Sequence, residues 1–227
     1  MKTPTAGILL AAGESTRFGK PKQLITLGGR FLIEWALAAA LGSNLDHVVL
    51  VLGCEHERIA HCLGSSTAHP KCEILVNPDY RGGQSTSLRA GLLRIRHDFP
   101  SAMFLLGDQP LVDAALINLL LERYAGSEKP ICVPTHRDIR GNPTLFGNPL
   151  YPEILNIEGD KGARDIIAAH PTQVLAVEIP DPLVFLDIDR REDVEKIAAL
   201  LESKQPLRKA PAMQFILPHF KKEGREM

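Results

Sequence analysis

The sequence carries almost no excess of charge: 26 Lys and Arg stand against 27 Asp and Glu, a formal net charge of −1 over 227 residues. That balance gives no electrostatic reason to expect nucleic acid or an anionic membrane as a partner. A phosphate-bearing ligand must then be held by a local cluster of donors rather than by a global field. Long hydrophobic runs are missing too. The apolar stretch at residues 8–12 is broken at Gly13 and followed by Glu14 and Arg17, too short for a signal-peptide core or a membrane span. Cys54, Cys62, Cys72 and Cys132 form neither a CxxC pair nor a secreted-domain framework, so a cytoplasmic location is expected. Cys54, His56, His61 and Cys62 lie close in sequence but fit no zinc spacing, and on a helix the two histidines point in different directions. Internal repeats are absent.

What is present describes one α/β domain. A hydrophobic share of 44% with 23% charged residues gives enough apolar mass for a core. Short apolar runs at 7–11, 47–52, 73–76, 102–106, 131–133 and 174–179 read as strands. Stretches of helical period at 31–41, 55–63, 86–97, 114–124, 162–170 and 191–203 read as helices. In the last, Val194, Ile197, Ala198 and Leu201 form one stripe. Strands that are apolar nearly throughout suit a sheet covered on both faces, and the repeated β-then-α order predicts a single doubly wound, mostly parallel sheet. Residues 135–155, with Gly141, Pro143, Gly147, Pro149 and Pro152, break the rhythm and read as an excursion over the sheet, a small ribbon covering a site. Residues 1–204 form the expected domain and 205–227 a basic, Pro-containing tail.

In a doubly wound sheet, ligands bind beyond the carboxyl ends of the strands. The first such end reads Leu10-Ala11-Ala12-Gly13-Glu14-Ser15-Thr16-Arg17-Phe18-Gly19-Lys20-Pro21-Lys22-Gln23. Small residues at 11–13 let a ligand approach the backbone, and Arg17 and Lys22 add positive charge, a combination that suits a triphosphate. The loop is not a Walker loop: five residues separate Gly13 from Gly19, and Pro21 follows Lys20 where Ser or Thr should stand. Nor does it hold a G-x-G-x-x-G fingerprint. A second strand end reads Gly107-Asp108-Gln109-Pro110, where a carboxylate could hold Mg²⁺ against phosphate oxygens. Asp113 is better placed than Asp108 to cap the following helix. Further on, Asp187-Ile188-Asp189 follows another apolar run. Asp189 could also cap the last helix, with Glu192 reaching back. Gly82-Gly83 precede a helix start for which Ser85 or Thr86 is a ready N-cap.

The run LAAGESTRFGKPKQL resembles the signature of the MobA-like nucleotidyltransferases, typified by the molybdenum cofactor guanylyl- and cytidylyltransferases. The resemblance runs from about Gly7 to Leu201. It implies a Rossmann-like, GT-A-like fold in which the backbone of Ala11, Ala12 and Gly13 contacts the nucleotide, while Arg17 and Lys22 neutralise phosphate charge. Asp108 lies in a family-like G-D-x-P context and would bind the metal with Asp189; Arg190-Arg191 replaces the usual Thr-Pro there. Gly82, Gly83 and Ser87 match base-contacting positions of the cytidylyl branch. Gly159-Asp160-Lys161-Gly162-Ala163-Arg164 is similar to a G-D-x-G-A-R motif near the acceptor, which would assign acceptor contacts to Gly162 and Arg164 and also to Asn142, where the cytidylyl branch carries His.

The expected activity is therefore Mg²⁺-dependent transfer of an NMP, CMP from CTP in the most specific version, to a phosphate of a small acceptor such as molybdopterin, with pyrophosphate released. A client molybdoenzyme is the implied macromolecular partner. Transfer to a sugar phosphate is the same-class alternative. A glycosyltransferase would use Asp187-Ile188-Asp189 as a D-x-D motif, but such enzymes lack the Ala-Ala-Gly…Arg…Pro-Lys loop. A non-catalytic nucleotide-binding partner of a molybdoenzyme would need neither Asp108 nor Asp189.

Overall fold

The computed structural model describes residues 3–15 and 18–204. Arg17 and the tail at 205–227 lie outside the described residues. In chain order, β1 (Thr5–Ala11) is followed by a short antiparallel pair, β2 (Thr26–Leu27) and β3 (Arg30–Phe31). Then come α1 (Leu32–Gly42), β4 (His47–Leu52), α2 (His56–Leu63), β5 (Cys72–Val76), α3 (Gln84–Ile95) and β6 (Ser101–Leu106). The second half adds α4 (Ala114–Ala125), β7 (Ile131–His136), β8 (Ile139–Arg140), β9 (Thr144–Gly147), α5 (Tyr151–Leu155), α6 (Arg164–Ala169), β10 (Val174–Glu178) and α7 (Arg191–Lys204).

The main sheet runs β10-β7-β9-β6-β1-β4-β5, with β8 paired to β7. β1 lies between β4 and β6, parallel to both, and every one of its residues is buried. That double coverage is why its sequence is apolar throughout rather than alternating. Ile8 and Leu10 face one core with Val49, Val51, Leu88 and Leu92; Leu9 and Ala11 face the other with Ile33, Leu37, Leu50 and Leu105. Helices on both faces thus bury the two side-chain sets that period-two alternation separates. No described helix is long and apolar enough to cross a membrane.

Three expectations need correction. Residues 135–155 pass over the sheet only in part: β8 forms the small ribbon with β7, whereas β9 enters the sheet, antiparallel to both β6 and β7. Neither Ser85 nor Thr86 caps α3, which starts earlier. Gly83 holds the N-cap position, and Asp160 Oδ1 accepts the Gln84 amide at 3.3 Å from a loop distant in sequence. At α7, Asp193 rather than Glu192 supplies the returning carboxylate, its Oδ2 accepting the amides of Asp189 (3.0 Å) and Arg190 (2.8 Å). The Asp189 side chain is thereby left for other work. Asp113 caps α4 as its position suggests, accepting the Leu116 amide at 2.8 Å.

Candidate active site

The register of the central strands sets the site. Leu10 pairs with Leu106, and the Gly107 amide donates to the Leu10 carbonyl at 3.0 Å, so β1 and β6 end side by side. The Gly13 loop and Asp108 therefore emerge from adjacent strand ends. The Ile188 amide donates to the Asp108 carbonyl at 3.0 Å, which brings the Asp187–Asp189 stretch to the same place. Ile188 is fully buried in a third apolar cluster with Phe18, Leu27, Leu32 and Ile197. That anchor holds Asp189 at the surface of the cleft.

The cleft has a volume of about 660 Å³ and is lined by residues from five separate stretches of the chain. Ala11, Ala12, Gly13, Lys22, Asp108, Asp189, Gly82, Gly83 and Ser87 all line it, so the structure brings together most of the residues marked in the sequence. Asn142, Gly162 and Arg164 are not among its lining residues. Arg164 is the exposed first residue of α6, and Gly162 packs beside the Gln84 side chain. From the same motif, Asp160 is the residue that reaches the cleft.

Lys22 is the centre of the charged end. Its Nζ donates to Asp108 Oδ2 at 2.7 Å and to Asp189 Oδ1 at 3.3 Å. Burial opposes its charge, but the attraction of Asp108 and then Asp189 prevails and holds its pKa above the ordinary lysine value. Two carboxylates that share one ammonium are close enough to share another cation. The other oxygen of Asp108, Oδ1, is buried and accepts no hydrogen bond. A buried carboxylate oxygen without a donor costs free energy that a ligated cation would recover, so the donor set fits a divalent ion. Mg²⁺ commonly takes one or two carboxylates plus phosphate oxygens, and no group of three or more His, Cys, Asp or Glu able to hold a metal occurs among the described residues. Asp187 keeps solvent contact, and its pKa is pushed up to about 6, first by desolvation and then by the negative charge of Asp108.

Gln23 escaped sequence reasoning. It is buried, and its Nε2 donates to the carbonyls of Ala11 at 2.8 Å and Gly13 at 3.1 Å, while Oε1 accepts from Ser15 Oγ at 3.3 Å. These bonds fix the direction of the two carbonyls. A Cβ on Gly13 would meet nothing within 4 Å, and it is Ser15 (φ 55°) that takes the left-handed conformation. The loop's small residues thus provide access, and the turn itself falls two residues later. The signal for Gln23 was only its place beside Lys22 in one three-residue turn, Lys22–Leu24.

Next to the lining residue Ser87, Asn77 is buried and donates through Nδ2 to Thr86 Oγ1 (2.9 Å) and Ser87 Oγ (3.0 Å). With its oxygen accepting from Asn77, the Ser87 hydroxyl retains its proton for a ligand. Gly83 has φ 96°, and a Cβ there would come within 2.5 Å of the Gly159 carbonyl carbon. The Gly82-Gly83 turn and the 159–160 loop are packed against each other so tightly that only glycine fits.

A family model described as the MobA-like NTP transferase domain matches residues 7–174, a span that includes Lys22, Asp108 and the Gly82-Gly83 turn. The chain is 28% identical over 203 residues to purine catabolism protein PucB of Bacillus subtilis strain 168, covering 87% of this chain and 98% of PucB. It is 28% identical over 198 residues to nicotine blue oxidoreductase of Paenarthrobacter nicotinovorans, covering 84% of this chain and 95% of that protein. Among solved structures, the homologue of Mycobacterium tuberculosis Rv0371c from Mycobacterium sp. strain JC1 matches with a TM-score of 0.77 at 27% identity, over 88% of this chain and 98% of that one. Rv0371c itself, in complex with manganese, matches with a TM-score of 0.71 at 26% identity, over 87% and 99%. With most of its length matched by the family model and its fold shared with these structures, the chain belongs to the MobA-like NTP transferase family.

Proposed function

We propose that this chain transfers CMP from CTP to a phosphate of a small acceptor, molybdopterin in the most specific reading, and releases pyrophosphate. The observation that carries the reading is the meeting of Lys22, Asp108 and Asp189 with the Gly13 loop in one cleft. Asp108 and Asp189 would hold a divalent cation, Mg²⁺ on this reading, whose contribution when bound is to neutralise charge on the phosphates as a Lewis acid. The manganese bound by Rv0371c supports an ion of this class here.

The backbone of Ala11, Ala12 and Gly13 lets the triphosphate lie against the strand ends, with Gln23 holding the carbonyls of Ala11 and Gly13 in place. An acceptor phosphate oxygen attacks the α-phosphorus and the bond to the β-phosphate bridging oxygen breaks in line. That acceptor is already ionised at neutral pH, so no protein base is required. Lys22, together with Arg17, offsets charge that grows on the departing pyrophosphate. Gly82, Gly83 and Ser87 form the base side; their likeness to the cytidylyl branch favours CTP. Asn142, Gly162 and Arg164 are assigned to the acceptor by the same likeness, and residues 1–204 to the catalytic domain.

The test is pyrophosphate release by the full chain with Mg²⁺, purified molybdenum cofactor and each of CTP, GTP, ATP and UTP. Release that needs both CTP and the cofactor is expected. GTP-dependent release would move the chain to the guanylyl branch, and release with CTP and a sugar phosphate alone would replace the acceptor. No release with any nucleotide and either acceptor would overturn the catalytic reading.

A further inference from the structure

Charges around the cleft are unequal. Among the described lining residues, Glu14, Asp108, Asp160 and Asp189 face only Lys22 and Arg81. Lys22 is already divided between two carboxylates. A triphosphate would therefore enter a cleft whose described side chains carry more negative than positive charge, and Arg81 is the remaining described cation on its wall.

Arg81 belongs to the Tyr80–Gly82 turn, on the wall across from the Gly13 loop. Its side chain reaches the loop: Nε donates to Glu14 Oε1 at 2.9 Å, one residue beyond Gly13. The guanidinium lies 5.5 Å from the centroid of the Tyr80 ring, which supports its apolar face. Arg81 is 77% exposed and Glu14 41% exposed. A pair so wet holds weakly and changes partners readily, whereas a guanidinium on phosphate oxygens gains charge-assisted bonds in its preferred fork geometry. The position is thus one from which a small side-chain movement turns Arg81 from the loop carboxylate to anything anionic beside Gly13.

We propose that Arg81 is a phosphate-binding residue of the nucleotide site, with Glu14 as the partner that a triphosphate displaces. The inference rests on the reading of this cleft as a nucleotide site. It makes opposite predictions for two members of one ion pair. Removing Arg81 weakens binding, and removing Glu14 strengthens it, by freeing Arg81 and by lifting a negative charge from the phosphate loop.

Isothermal titration of the full chain in Mg²⁺, with CTP and with inorganic tripolyphosphate, reads both effects. Arg81→Gln is expected to weaken both ligands by about tenfold, the scale of one charge-assisted hydrogen bond. Glu14→Gln is expected to tighten both by roughly threefold, and most of that gain should vanish when Arg81→Gln is also present. Both variants should melt with the wild type, since the pair is exposed. Unchanged tripolyphosphate affinity in Arg81→Gln overturns the proposal, as does a loss confined to CTP, which would place Arg81 on the nucleoside. A Glu14→Gln gain that survives in full without Arg81 overturns the displacement. If the wild-type chain binds neither ligand, the nucleotide-site reading falls with it; if it binds both and Arg81→Gln is silent, only the role of Arg81 falls.

Discussion

One oxygen of Asp108 faces the Lys22 ammonium and the other faces no donor, although both sit at the mouth of a well-packed strand. Such an oxygen is a liability to folding and an asset to a cation, so Asp108→Asn separates the two. The variant keeps the shape and removes the charge; its far-ultraviolet circular dichroism and melting midpoint should match the wild type. Pyrophosphate release should fall by about 10²-fold or more, as for loss of a fixed charge at a reacting phosphate. An Asp108→Asn enzyme with wild-type turnover would sink the assignment. Lys22→Met differs in kind, because it leaves Asp108 and Asp189 facing one another without their shared cation. It should lose activity by roughly 10²–10³-fold and also lower stability, by about 1 kcal/mol, at low ionic strength in the absence of divalent ions. That Lys22, Asp108 and Asp189 meet in one cleft was legible from the loop after the first strand, the turn at a second strand end and the acids after an apolar run. Gln23 was not. Its work is to hold the carbonyls of Ala11 and Gly13, and nothing in the sequence says which way a loop carbonyl points.

At the scale of elements, the same division holds between what is local and what is not. β4 starts and stops where the sequence places it, because five consecutive buried positions, residues 48–52, fix its register. β9 was missed: its four residues lie between Pro143 and Pro149, and its strand character comes from pairing with β6 and β7 rather than from its own length. The start of α3 was misplaced for a similar reason, since its first amide is satisfied by Asp160, 76 residues away. Gly83→Ala tests this junction. The added methyl must adopt φ 96° and enter the backbone of Gly159 and Asp160, so a stability loss of about 1–3 kcal/mol is expected. The NTP KM should rise with it, because Gly82, Gly83 and Asp160 share the cleft wall; a stable variant with unchanged KM would show that the two loops are not coupled. At the sheet edge, Glu73 on β5 bridges Arg94 of α3 at 2.6 Å and His47 of β4 at 3.1 Å. Desolvation works against the Glu73 charge, but these two partners outweigh it and lower its pKa below the ordinary 4.5. A depressed carboxylate stabilises above its unfolded value and ceases to do so as pH falls through its folded one. Glu73→Gln should therefore melt slightly below the wild type at pH 7, with the gap closing below pH 4.5.

For the molecule as a whole, the two cores on either face of the sheet and the third cluster around Ile188 place the Gly13 loop, Asp108 and Asp189 without help from a ligand. Lys22 offsets the two carboxylates in the meantime. Metal binding and folding should then be nearly independent, unlike domains whose metal site organises the core. Chelation of divalent ions should abolish pyrophosphate release yet shift the melting midpoint by no more than about 2 °C, an energy of at most about 0.5–1 kcal/mol for a chain this long. The nucleotide tells a different story, because it would bridge walls built from separate parts of the chain. At a hundred times its Kd, CTP with Mg²⁺ contributes about 2.7 kcal/mol by mass action, or roughly 5–10 °C in midpoint. CTP without the divalent ion should give much less, since the phosphates would meet Asp108 and Asp189 unshielded. Thermal shift measurements with the ion alone, CTP alone and both together check the order. A large shift from the ion alone would mean that the carboxylate pair is part of what holds the fold, and that Lys22 does not suffice to balance it.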